Sequence, residues 1–198
     1  MAVAIVILIF SCLSFGNVIS FTGNLNDSNS FALHQFLVPA NGSNITIQSW
    51  SFGGGINAAS DVIPGGGFLL DISLFDSAGT LLADTNFTYA CPPANLDSYG
   101  VCGDTLLSLS NVGAGQYTIG IVAAPNFPVG PSLADGFCAT TNPGSGCDGS
   151  FVGNQGEPRN QFYAVDVTVD SPANVPEPAS MTLVIAGLLI RRLVRPLR

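Results

Sequence analysis

The chain has 198 residues, 13 acidic and five basic groups, a formal charge of −8 and no lysine. Four of its five arginines (Arg191, Arg192, Arg195, Arg198) fall in the last eight residues, and the fifth is Arg159. With no basic patch outside that tail, a nucleic-acid binder held by phosphate contacts is excluded, and so is lysine chemistry such as a Schiff base or a P-loop.

Residues 2–10, AVAIVILIF, form an unbroken apolar run. It is too short to span a bilayer as a helix and suits the apolar region of a secretory signal peptide. Small residues follow, and Val18-Ile19-Ser20 offers a cleavage site. Residues 1–20 are therefore expected to be a signal peptide, with the mature body starting at Phe21.

From 21 to 175 the chain holds eleven aspartates, Glu157 and Arg159, a net charge of −11. This length suits one domain, able to bury roughly 68–70% of its unfolded surface. Apolar residues alternate with polar ones, which is the strand period. Predicted strands cover 21–25, 31–38, 44–50, 68–75, 80–84, 105–110, 116–124 and 161–170. Within 68–75, Phe68, Leu70, Ile72 and Leu74 share a face; Tyr117, Ile119 and Ile121 do so within 116–124, and Tyr163, Val165, Val167 and Val169 within 161–170. Asp76-Ser77-Ala78-Gly79 reads as a hairpin turn, and Gly113-Ala114-Gly115 as a second. No stretch of the body carries a sustained helical period. The expected fold is all-β: an antiparallel, jelly-roll-like β-sandwich of about eight strands over 21–172.

Four cysteines remain after signal removal: Cys91, Cys102, Cys138 and Cys147. Four in an exported chain suggest two disulfides. Three pairings are possible; Cys91–Cys102 with Cys138–Cys147 closes two short Gly/Pro-rich loops. A four-cysteine zinc site is the alternative, but no C-x-x-C pair is present. His34 is the sole histidine. Any Ser-His-Asp or Cys-His catalysis would have to be built around it, and no G-x-S-x-G elbow accompanies it, so a non-enzyme is expected. Oxygen ligands for calcium could come from Asn24, Asn26, Asp27 and Asn29, from Asp61, or from Asp135 with Asp148, although none follows a calcium-loop pattern. Trp50, Tyr89 and Tyr99 could form a glycan-stacking platform; Trp50 reads equally well as a half-buried strand residue.

The tail, 173–198, reads Val175-Pro176-Glu177-Pro178-Ala179-Ser180, then MTLVIAGLLI (181–190), then RRLVRPLR. As a helix, 179–190 would be about 18 Å long, short against a hydrocarbon core of about 30 Å. Met181, Leu183, Ile185, Leu188 and Ile190 would form this apolar anchor, and Arg191 and Arg192 would orient its C-terminal end to the cytoplasm. The order of Pro-Glu-Pro, apolar run and arginine cluster resembles the PEP-CTERM sorting tail of exosortase substrates. The resemblance implies that Pro176, Glu177 and Pro178 are the motif at which a membrane exosortase recognises and cleaves the exported protein. It covers only about the last 24 residues.

The body carries a second resemblance. Leu74–Leu81 (LFDSAGTL) and Gly115–Ile119 (GQYTI) are similar to hairpin motifs of bacterial pre-peptidase C-terminal-type sandwiches. Asn126–Gly130 (NFPVG) with Leu133–Phe137 (LADGF) is similar to a stretch in one uncharacterised family of PEP-CTERM proteins. These likenesses imply a sandwich and transfer no catalytic residue. The expected role is an exported, non-catalytic surface or extracellular-matrix protein, found first as an inner-membrane intermediate. The alternative is a carbohydrate-binding, calcium-assisted module of the exopolysaccharide matrix.

Overall fold

A computed structural model describes residues 16–153 and 155–172. The elements in chain order are β1 (Asn17–Asn24), β2 (Phe31–Val38), β3 (Ser43–Ser49), β4 (Gly55–Ile56), β5 (Val62–Ile63), β6 (Leu70–Phe75), β7 (Leu81–Asp84), β8 (Leu106–Val112) and β9 (Gly115–Ala123). A 3₁₀ turn (Leu133–Asp135), a single helical turn α1 (Cys138–Thr141) and β10 (Phe162–Asp170) complete them.

The eight long strands form two four-stranded sheets, ordered β1-β10-β3-β8 and β2-β9-β6-β7, and every ladder is antiparallel. Setting aside the small β4–β5 ladder, consecutive strands alternate between sheets except at the β6–β7 hairpin. This is the order of a jelly roll. The expected all-β sandwich is therefore observed.

Alternation explains the packing. Ile45 and Ile47 of β3 and Val165, Val167 and Val169 of β10 face inward from one sheet. Phe36, Leu70, Ile72, Leu74, Ile119 and Ile121 face them from the other, forming one buried cluster. Each such side chain contributes about 1.5–3 kcal/mol through burial. The β6–β7 hairpin turns as its sequence suggests: the Asp76 carboxylate accepts from the N–H groups of Ala78 (2.9 Å) and Thr80 (2.8 Å), and Gly79 takes φ +80°.

Three expectations are revised. Gly113-Ala114-Gly115 is not a hairpin turn: β8 and β9 lie in different sheets, so this link crosses between layers. The body is not free of helix: the 3₁₀ turn and α1 lie in the segment between β9 and β10. They are too short to show a period and are held by local bonds, such as the Asn126 side chain accepting from the Ala139 N–H at 2.9 Å. Phe137, between them, covers Phe75 and Val122 on the outer face of the second sheet as a small satellite core. The third revision concerns the start of the domain. Strand β1 begins at Asn17, upstream of Phe21, and pairs in unbroken register with β10 from Asn17↔Val169 to Asn24↔Phe162. The expected C-terminal apolar helix lies outside the described residues. No helix among the described residues is long and apolar enough to cross a membrane.

The registers place the C-terminal ends of β1, β3 and β9 together with the N-terminal ends of β2, β6, β8 and β10. The long segments 25–30, 50–69, 85–105 and 124–161 start or finish there, whereas short links close the opposite end. The chemistry-bearing side chains of the body gather at the long-loop end.

Candidate functional site

Buried carboxylates organise this end. Asp166, on β10, accepts from the Trp50 indole Nε1 (2.7 Å), the Ala58 backbone N–H (2.6 Å) and the Ser20 hydroxyl (2.5 Å). One side chain thus ties β10 to β1, to the end of β3 and to the loop between β4 and β5. Asp104, just before β8, accepts from the N–H groups of Phe52 (3.1 Å) and Gly53 (2.8 Å) and from the Ser49 hydroxyl (2.8 Å). Burial nonetheless keeps its carboxyl above the usual range, against the pull of those donors.

The third carboxylate, Asp97, belongs to an ion triad. Arg159, the only cation in the body, donates to both Asp97 and Glu157, with its Nε 3.0 Å from Glu157 Oε1. All three side chains are nearly enclosed, and the guanidinium lies 3.8 Å above the Phe52 ring. Burial pushes the Asp97 carboxyl upward. The N–H of Val101, Arg159 and the N–H of Tyr99 outweigh it and leave the group below the usual carboxylate range. Glu157 is lowered likewise, its burial outweighed by backbone N–H groups and Arg159. Phe52 itself is packed so closely that a Cβ on Gly103 would fall 2.5 Å from its ring.

The cysteines pair as Cys91–Cys102 and Cys138–Cys147. The first closes the loop that carries Asp97, so disulfide and ion triad hold the same segment. Each loop is short, and its closure stabilises the body by about 2–3 kcal/mol in the chain-entropy account. Two such bonds persist in an oxidising compartment and not in a reducing one.

The predicted glycan-platform residues sit differently from one another. Trp50 is half-buried with its indole N–H committed to Asp166. Tyr89 is half-buried and bridges Thr105; burial, reinforced by the Asp71 charge, lifts its phenol to about 12. Only Tyr99 stands out in solvent, 61% exposed, at the tip of the Cys91–Cys102 loop. No ring contact joins the three among the described residues.

Other candidates resolve into local structure. His34 stacks on Phe21 at 4.5 Å and shares a 2.9 Å hydrogen bond with the Tyr163 hydroxyl, and burial lowers its pKa. Asp27 accepts from the Asn29 N–H, and Asn29 donates to Asp148. Asp61 is anchored through its N–H to the Asn57 side chain, and Asp135 closes a capping box with Ser132. No cluster of three or more His, Cys, Asp or Glu side chains suited to a metal occurs among the described residues.

A further buried carboxyl lies on β6, and like Asp166, Asp104 and Asp97 it follows no sequence motif. Asp71 of β6 is buried; its Oδ1 accepts from the Thr85 hydroxyl and the Phe87 N–H, and its Oδ2 has no hydrogen-bond partner. Burial, aided by the nearby Asp84 charge, raises it to about 6.

No family model matches the chain, and no curated protein matches it. Among solved structures it is similar to PliG of Aeromonas hydrophila, a periplasmic inhibitor of g-type lysozyme. The identity is 8%, the match covers 81% of this chain and 90% of that one, and the TM-score is 0.31. That likeness is too remote to carry a function from one chain to the other. The sorting residues Pro176, Glu177 and Pro178 lie outside the described residues, as do the anchor residues Met181, Leu183, Ile185, Leu188, Ile190, Arg191 and Arg192.

Proposed function

We propose that this chain is a non-catalytic exported protein that an exosortase sorts at Pro176-Glu177-Pro178, releasing a jelly-roll body to the cell surface or extracellular matrix. The observation that carries the reading is the pairing of all four body cysteines in two disulfides, which suits an oxidising exterior. The tail order of Pro-Glu-Pro, apolar run and arginine cluster adds the route. The strongly acidic, lysine-free body resists non-specific association through like charge.

Its test is fractionation of an exosortase-bearing bacterium that expresses either the natural chain or one with Pro176, Glu177 and Pro178 all replaced by alanine. The natural chain leaves the membrane fraction in a shortened form, and the variant stays in the membrane at its uncut size. Identical size and location for the two would defeat the sorting role.

A second reading, an exopolysaccharide-binding module assisted by calcium, is favoured by the exposure of Tyr99 on the disulfide loop, with Leu96 exposed beside it. Aromatic faces stack on the apolar faces of sugars.

A further inference from the structure

We infer that the export signal is removed by hydrolysis of the Gly16–Asn17 peptide bond, leaving Asn17 as the first residue of the mature chain. The inference rests on the export reading and goes beyond it by assigning the scissile bond. Val18-Ile19-Ser20 also satisfies the small-residue requirement for cleavage, but the structure makes those residues part of the domain.

The argument lies in β1. All eight of its residues pair with β10, and four of those pairs belong to Asn17, Val18, Ile19 and Ser20, opposite Val169, Thr168, Val167 and Asp166. Ile19 packs against the main core. The Ser20 hydroxyl donates to Asp166, the carboxylate that also holds Trp50 and Ala58. Cutting after Ser20 would discard half of an eight-residue strand, a core side chain and one of the three donors to that carboxylate. It would also uncover the β10 backbone opposite the lost segment, and unpaired strand groups invite association.

Immediately upstream, Ser14-Phe15-Gly16 presents small residues at the third and first positions before the bond. This is the pattern that signal cleavage needs, and it lies six residues beyond the end of the apolar run at Phe10. Scission there leaves the whole of β1 in the mature chain. In the reaction, water adds across the Gly16–Asn17 bond. Gly16 ends as a carboxylate, Asn17 gains a free amine, and the catalyst is a membrane-bound serine endopeptidase of the exporting cell.

The experiment expresses the full chain in a Gram-negative host and reads the N-terminus of the exported protein by mass spectrometry. A mature chain starting at Asn17 is expected, as is loss of the mature form in a Gly16→Leu variant, whose processing is read by size before folding matters. A chain starting at Phe21 or Phe15, a lipidated Cys12, or normal processing of Gly16→Leu at the natural bond would overturn the assignment while leaving export intact. A natural chain that keeps residues 2–10 would instead overturn the export reading beneath it.

Discussion

Replacing Asp166 with alanine is expected to lower the stability of the mature domain by about 4 kcal/mol, since a hydrogen bond to a charged acceptor contributes about 1.5–3 kcal/mol and these three, whose donors are partly open to water, sit at the low end. Three donors lose their acceptor at once: the Trp50 indole, the Ala58 N–H and the Ser20 hydroxyl. At about 2–4 °C per kcal/mol for a domain of this size, the melting temperature should fall by about 8–16 °C. Asp166→Asn separates hydrogen bonding from charge. Its amide oxygen can serve Trp50 and Ala58 while its NH₂ donates to the Ser20 hydroxyl, which reverses its role. That variant should lose only about 1 kcal/mol, the worth of an ordinary hydrogen bond. Thermal melts followed through Trp50 fluorescence report both variants, since Trp50 is the only tryptophan. Equal losses for alanine and asparagine would show that the charge of Asp166, and not its accepting geometry, holds this end together.

The second large effect is one of pH. Asp71 has a folded pKa of about 6, raised first by burial, against a reference value of 3.8. Between those values the folded protein holds a proton that the unfolded chain has released. Stability from this group is therefore greatest below about pH 4 and declines as pH rises through about 6. One pKa unit corresponds to about 1.4 kcal/mol, so the decline amounts to about 3 kcal/mol. Asp71→Asn removes it, because the amide has no charge to bury. Denaturant unfolding of both proteins from pH 4 to pH 7 should show the variant gaining about 3 kcal/mol relative to the natural chain across that range. The comparison between the two matters because His34, lowered by burial, tilts the natural curve the other way: its stability contribution falls as pH drops below the ordinary histidine range. Asp97 and Glu157, both lowered, add stability that is lost only further into acid. A constant difference between natural and variant proteins over the range would show that Asp71 is not held protonated in the fold.

Much of the fold is legible in the chain because period-two alternation is written into each long strand. Phe31–Val38 and 161–170 differ from β2 and β10 by at most one residue at either end. Sheet membership is less legible. Gly113-Ala114-Gly115 has the composition of a hairpin turn, yet β8 and β9 separate into different layers, since each buries its apolar face from an opposite side of the same core. The start of the domain was obscured for a related reason. Asn17–Ser20 combines small and apolar residues, which suits a cleavage region and a β-strand equally well, and only the pairing with β10 distinguishes them.

At the long-loop end, the lone Arg159 in an acidic body was visible by count, but its partners were not. Asp97 lies 62 residues away in sequence and meets it only because the Cys91–Cys102 loop folds over Phe52. The same holds for Asp166, whose three donors come from β1, the end of β3 and the loop after β4. Short loops between cysteines favoured the disulfide pairing that the structure contains, because closure within about a dozen residues involves little chain entropy.

The most direct test of the whole account is the state of the protein recovered outside an exosortase-bearing cell. It should be alkylated without prior reduction and weighed intact. The account predicts no alkyl groups on Cys91, Cys102, Cys138 or Cys147, and a chain that ends near Pro176–Pro178 without the arginine cluster. A protein found inside the cell, carrying four alkylated cysteines and running through to Arg198, would contradict it.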